Sequence, residues 1–311
     1  MKTKHLLPLV LLAGILLLGG DLHAQQLLIT SGNAIAEYNT NGTPVGSGTL
    51  VNGAGMNFPW GITVSGTDIF VVNLSGNSIG EYTTSGATVN SALVSGNGLN
   101  GPRGIVVSGT DLFVVNNSGN TITEYTTSGA FVGTLVSGHG LNNANAIAIS
   151  GTDLFVANNG GNTITEYTTS GALVGSGTLV SGNGLNGPNG LVISGTDIFV
   201  TNGANNTITE YTTSGAFVGT LVSGHGLNNP QGIVISGTDL FVANYSSGAI
   251  TEYGLAGNVV ANPLASGDAL SGGPIGITAI PEPSTWAMLG VGVAGLLLFN
   301  RRAKPRRPVS I

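Results

Sequence analysis

The chain has no cysteine, which excludes a disulfide scaffold, a thiolate metal centre, a cysteine nucleophile and a lipid-bearing cysteine. Charge is also scarce: only 7% of the 311 residues are charged, where about a quarter is usual for a soluble domain. Lysine is missing between Lys4 and Lys304, and Arg103 is the one arginine before Arg301. From residue 25 to 284, thirteen acids stand against that single arginine, a net charge of −12. Such a body repels phosphate backbones, so nucleic acid is excluded as a partner. With 41% hydrophobic residues the chain is not a disordered acidic tail, and its 52 glycines follow no G-X-Y period, so it is not collagen.

The remaining basic residues sit at the two ends, each beside an apolar run. Lys2 and Lys4 precede Leu6 to Leu18, and Leu22-His23-Ala24 follows Gly19 and Gly20. This order predicts a secretory signal peptide over residues 1–24, cleaved after Ala24; the run is short for an uncleaved anchor, the alternative reading. At the other end, Pro281-Glu282-Pro283-Ser284-Thr285-Trp286 leads into an apolar stretch to Phe299 and then Arg301, Arg302, Lys304, Arg306 and Arg307. As a helix, residues 286–299 would span about 21 Å, and the positive tail would stay cytoplasmic, leaving the body on the far side of the membrane. A permanent tail anchor is the bland alternative. The order of motif, apolar helix and arginines over residues 281–311 resembles the PEP-CTERM sorting signal of Gram-negative envelope proteins. That resemblance implies export and transient anchoring in the inner membrane. It also implies recognition of Pro281, Glu282 and Pro283 by an exosortase, and often an exopolysaccharide or biofilm setting at the periplasm, surface or matrix.

Residues 25–280 are one unit repeated. Glu-Tyr recurs at Glu37, Glu81, Glu124, Glu166, Glu210 and Glu252, at intervals of 42 to 44 residues. Between these marks SGTD introduces a β-rich run at Asp68, Asp111, Asp153, Asp197 and Asp239. Each unit holds four short runs separated by SGT, TTSG and SGxG turns, in which glycine supplies positive φ. Four antiparallel strands per roughly 43 residues predict a β-propeller blade, with burial falling from the first strand to the fourth. The first unit lacks its first strand, because Leu27-Leu28-Ile29-Thr30 matches strand two. Gly273-Pro274-Ile275-Gly276-Ile277-Thr278 supplies the missing piece, which predicts an all-β six-bladed propeller closed by a C-terminal strand on the N-terminal blade.

The unit P-x-G-I-x-V-S-G-T-D-L-F-V-x-N followed by x-I-x-E-Y is similar to the NHL repeat of six-bladed propellers. Where such repeats commonly carry Asp at the ends of strands one and two, this chain has Ser108 and Asn116, and Thr121 replaces a common Arg or Lys. The resemblance therefore implies a fold more than an activity.

Catalysis needs a cluster of ionisable groups in one pocket, and here the acids recur at repeat positions as turn and strand residues. His139 and His225 stand two repeats apart in the same SGHGLN context, where other units have Asn97 and Asn183. They are secondary candidates and cannot form a three-ligand metal centre alone. Neither a G-x-S-x-G elbow nor a Ser, His and acid set stands out, the Gly-rich strings lack the Lys and helix of a phosphate loop, and no metal site or cofactor is expected. The loops between strands two and three vary from unit to unit, as does the residue before the first-strand glycine: Trp60, Arg103, Asn145, Asn189, Gln231 and Ile275. These six are expected to share one axial rim. There Trp60 could stack on a sugar, Arg103 could hold a carboxylate and the amides could bond hydroxyls. The reading is an exported binding or structural module of the envelope or exopolysaccharide matrix, with polysaccharide or another envelope protein as partner. A lyase or lactonase like those on other six-bladed propellers, or a purely structural matrix protein, are the alternatives.

Overall fold

A computed structural model describes residues 26–280, which form six four-stranded antiparallel sheets. Blade I combines Gln26–Ser31, Ala34–Asn39 and Pro44–Asn52 with the distant Pro274–Ala279. Blades II to VI are each contiguous in sequence and begin at Pro59, Pro102, Ala144, Pro188 and Pro230. The six first strands touch one another in a closed ring, so the fold is a six-bladed β-propeller. The expected signal peptide (1–24) and C-terminal helix (286–299) lie outside the described residues. Among the described residues no helix is long and apolar enough to cross a membrane.

Closure comes from the C-terminal strand. Leu27, Leu28 and Ile29 pair with Ala279, Thr278 and Ile277, and the Ile280 amide donates to the Gln26 carbonyl at 2.9 Å. Both ends of the ring therefore leave from the face that carries the SGTD and TTSG turns.

The six cores lie between blades, not within them. Leu112, Val114 and Tyr125 of blade III, for example, pack on Phe70, Val72 and Ile79 of blade II. Burial peaks in the second strand, which is buried almost throughout, and not in the first. The expected monotonic fall is corrected because one side of each first strand lines the axial channel, whereas the second strand has a blade on both faces.

Glycine in the first strand follows from convergence at the axis. A Cβ on Gly61 would run into the Arg103 carbonyl, one on Gly190 into that of Gln231, and one on Gly276 into that of Trp60. The Glu-Tyr repeat has an equally local cause. Tyr82, Tyr125, Tyr167, Tyr211 and Tyr253 are fully buried, and each hydroxyl donates at 2.7–3.0 Å to a carbonyl in the loop that joins its blade to the one before. Asn at the end of strand two does similar work. Asn158 is fully buried, accepts from the Asn142 amide at 3.0 Å, and donates to Thr165 Oγ1 at 3.0 Å and to the Val156 carbonyl at 3.3 Å.

Candidate functional site

Every first strand starts on the face opposite the chain ends, so its second residue projects at the channel mouth on that side. Trp60, Arg103, Asn145, Asn189 and Gln231 line one cavity of about 400 Å³, together with Asn159, Asn229 and the Gly203-Ala204 turn. Ile275 is buried and does not reach this upper cavity, whereas all six expected rim residues line the narrower channel below. There Ile62, Ile105, Ile147, Leu191, Ile233 and Ile277 contribute one aliphatic side chain per blade. The mouth is thus a polar cup over an apolar constriction, and its polar wall is incomplete at blade I.

The cup is wired as a chain of donors and acceptors. Arg103 Nη1 donates to Asn145 Oδ1 at 2.6 Å, an oxygen that also accepts from Asn117 Nδ2 at 2.9 Å. Asn145 Nδ2 donates to Asn189 Oδ1 at 2.9 Å, Asn159 Nδ2 reaches the same oxygen at 3.0 Å, and Asn189 Nδ2 donates to the Pro230 carbonyl at 3.0 Å. Gln231 Nε2 donates to Asn229 Oδ1 at 2.9 Å. The guanidinium of Arg103 lies 4.3 Å from the Trp60 ring centroid, within cation–π range. One face of Trp60 is therefore already occupied. Burial pushes the Arg103 pKa down, and its Nε is buried without a hydrogen-bond partner.

Of the twelve acids in residues 26–280, eleven are the repeat Asp and Glu residues. Asp111, the last residue of its SGTD turn, begins the strand, and Glu124 pairs with Phe113 two residues further along. The other units repeat this register, so these carboxylates gather toward the chain-end face, away from Arg103. Burial, reinforced by the neighbouring Asp, raises the pKa of Glu81, Glu124, Glu166, Glu210 and Glu252. Among the described residues no three His, Cys, Asp or Glu side chains converge on a common point.

His139 and His225 are exposed in the loops between blades and line neither cavity. Both adopt left-handed φ values, +47° and +49°, as do Asn97 and Asn183 at the equivalent positions. Asn and His are enriched in that conformation, which accounts for their interchange. The loops after strand two also contain a constant element. Their last residues, Asn77, Asn120, Asn162 and Asn206, accept from the amides of Gly101, Asn143, Gly187 and Asn229 in the next blade connection at 2.7–2.8 Å.

The variable loops were expected on this face, but the candidate site residues did not include Asn159 and Asn229, which line the cup, Asn117, which bonds Asn145, or Phe58 beside it. Phe58 occupies the left-handed position that Gly101, Asn143, Gly187 and Asn229 hold in other blades, with φ +54°. It is 38% exposed, with its ring 5.9 Å from that of Trp60. A bulky residue where the repeat otherwise uses Gly or Asn was a legible signal.

Comparison with known proteins supports two statements. Residues 279–302 match the family model of the PEP-CTERM protein-sorting motif. The chain therefore carries that signal and is an exported, surface-sorted protein, and the motif is of the kind an exosortase recognises. A chain from the crystal structure of a nidogen/laminin complex superposes with a TM-score of 0.71 at 17% identity, covering 83% of this chain and 99% of that one. At that identity the likeness shows the fold alone. The computationally designed Ika8 protein reaches a TM-score of 0.43 at 14% identity, over 76% of this chain and 74% of its own. No curated protein matches the sequence.

Proposed function

We propose that this protein is a binding module of the cell envelope or exopolysaccharide matrix that takes a polysaccharide segment at the polar mouth of its propeller. The observation that carries this reading is the asymmetry of the cup. Five blades present polar or aromatic side chains of four kinds, Trp60, Arg103, Asn145, Asn189 and Gln231, into one cavity of about 400 Å³, on the face opposite the chain ends. A merely architectural repeat has no need of that difference, and amide donors and acceptors beside aromatic rings are the groups that suit hydroxyl-rich ligands.

The placement on the chain supports the same reading. With a signal peptide removed after Ala24 and Arg301 to Arg307 held in the cytoplasm of a Gram-negative host, the body faces the periplasm. An exosortase then releases or transfers it, and the mouth points away from the end at which it was tethered. A reporter fused after residue 307 is expected to be active only in the cytoplasm; periplasmic activity overturns this orientation.

The function itself is tested by pulling the purified exported protein down with matrix polysaccharide. Binding should fall in the Trp60→Ala, Arg103→Ala double variant and persist when the TTSG turns are altered. The opposite pattern would move the binding face to the constant turns.

A further inference from the structure

Arg103 is a cation without a counter-ion. Among the described residues no carboxylate lies within salt-bridge distance of it, it takes one amide acceptor, and its burial disfavours the charge it carries. A polar residue held at such a cost commonly serves a ligand. The acids of the repeat gather at the other face, so an approaching anion meets the arginine before it meets the negative body.

Phe58 is held at a cost as well. Left-handed φ is uncommon for a bulky side chain, and the five other blades avoid it with Gly or Asn at this position: Gly101, Asn143, Gly187, Asn229 and Gly273. The Phe58 ring packs against Trp60 at 5.9 Å yet the residue stays 38% exposed, so the propeller core does not bury it. Trp60 itself is covered on one face by the Arg103 guanidinium. Phe58 therefore adds exposed aromatic surface next to Trp60 at the edge of the mouth, and Trp60 positions the arginine.

We infer that the mouth selects an acidic polysaccharide, with the carboxylate of one uronic acid residue on Arg103 and a neighbouring sugar ring stacked on Phe58. This rests on the mouth being the binding face, as proposed above. An anion is preferred over a neutral sugar because only an anion offsets the isolated charge, and a planar carboxylate can lie coplanar with the guanidinium fork. Trp60 holds the guanidinium by its ring face, and Asn145 fixes its rotation. Phe58 adds an apolar platform for the C–H face of a pyranose.

Calorimetric titration of the full chain in detergent with a galacturonate trimer, its methyl ester, a galactose trimer and a sulfated galactose trimer tests this. The galacturonate trimer should bind at least about tenfold more tightly than its ester or the galactose trimer, and more weakly as salt is added. Arg103→Gln should remove both the preference and the salt dependence, and Arg103→Lys should restore only part of the preference. Phe58→Asn should weaken binding of every trimer while raising the melting temperature, because it relieves the left-handed strain. A residue with a purely structural role would lower both.

Equal binding of galactose and galacturonate, unaffected by Arg103→Gln, overturns the acidic selectivity while leaving the mouth as a sugar site. Equal binding of the sulfated trimer overturns the carboxylate assignment. If Phe58→Asn leaves affinity unchanged, the stacking role is wrong. If no trimer binds, or binding survives both substitutions, the mouth reading fails together with the inference.

Discussion

Asn158 offers a measurable test of how the blades are joined. It ends the second strand of blade IV with no exposed surface, and its side chain ties three segments together: the Asn142 amide, Thr165 Oγ1 and the Val156 carbonyl. Alanine would strand the Asn142 amide and strip the buried Thr165 hydroxyl of its partner. Thr165 is fully buried whereas Asn142 lies in an exposed loop, so one buried group is left unsatisfied and the loss is about 1–3 kcal/mol, against the ~5–15 kcal/mol that holds a typical domain.

Asn158→Asp is the sharper perturbation. An aspartate keeps the acceptor for the Asn142 amide, and Thr165 can reverse to donate. It loses the amide donor, sets an oxygen against the Val156 carbonyl, and buries a carboxylate with no cation near it. At pH 7 the Asp variant should be destabilised at least as much as the Ala variant. It should regain stability as the pH is lowered and the carboxyl takes up a proton, whereas the Ala variant should not. Urea unfolding followed by circular dichroism at pH 7 and pH 5 measures both. An Ala variant within 0.5 kcal/mol of the parent, or an Asp variant as stable as the parent at pH 7, would refute this account of the repeated asparagine.

Tyr167→Phe removes the donor to the His139 carbonyl at 2.7 Å and should cost about 1 kcal/mol by urea titration; no change would mean the tyrosine acts by packing alone. Deleting residues 273–280 should leave the Leu27 to Ile29 edge open and cause aggregation or loss of cooperative melting, and an unaltered, soluble transition would rule out closure by this strand. Glu81, Glu124, Glu166, Glu210 and Glu252, the last buried and the other four half-buried, have raised pKa values, so the folded protein binds protons more tightly than the unfolded chain. Stability should therefore rise as the pH falls from 7 through these folded values toward the ordinary carboxylate range, read as an increasing melting temperature. A steady decline over that window would contradict the direction.

The repeat period, the turn chemistry and the count of strands were enough to specify a six-bladed propeller from the chain alone, and even the closing strand at residues 273–278 was legible. Each of these is a local or periodic property: glycine at a turn, alternation in a strand, a missing element at one end matched by an extra one at the other. The shared mouth of Trp60, Arg103, Asn145, Asn189 and Gln231 was likewise legible, because one position per repeat must recur at the axis.

What the chain alone left open was how residues in different repeats act on one another. Asn145 reads as a free amide until Arg103, 42 residues away, is seen to occupy its oxygen. Trp60 reads as an open sugar platform until the same guanidinium is seen on its face. Ile275 shares the channel with the other five first-strand residues, but only the ring shows that it stays out of the cavity above them. The segregation of the acids from Arg103 and the strain at Phe58 depend on strand direction and backbone conformation, which residue identity does not encode position by position. The blades are set by short-range pattern, whereas the site exists only where six of them converge, and convergence is a property of the closed ring.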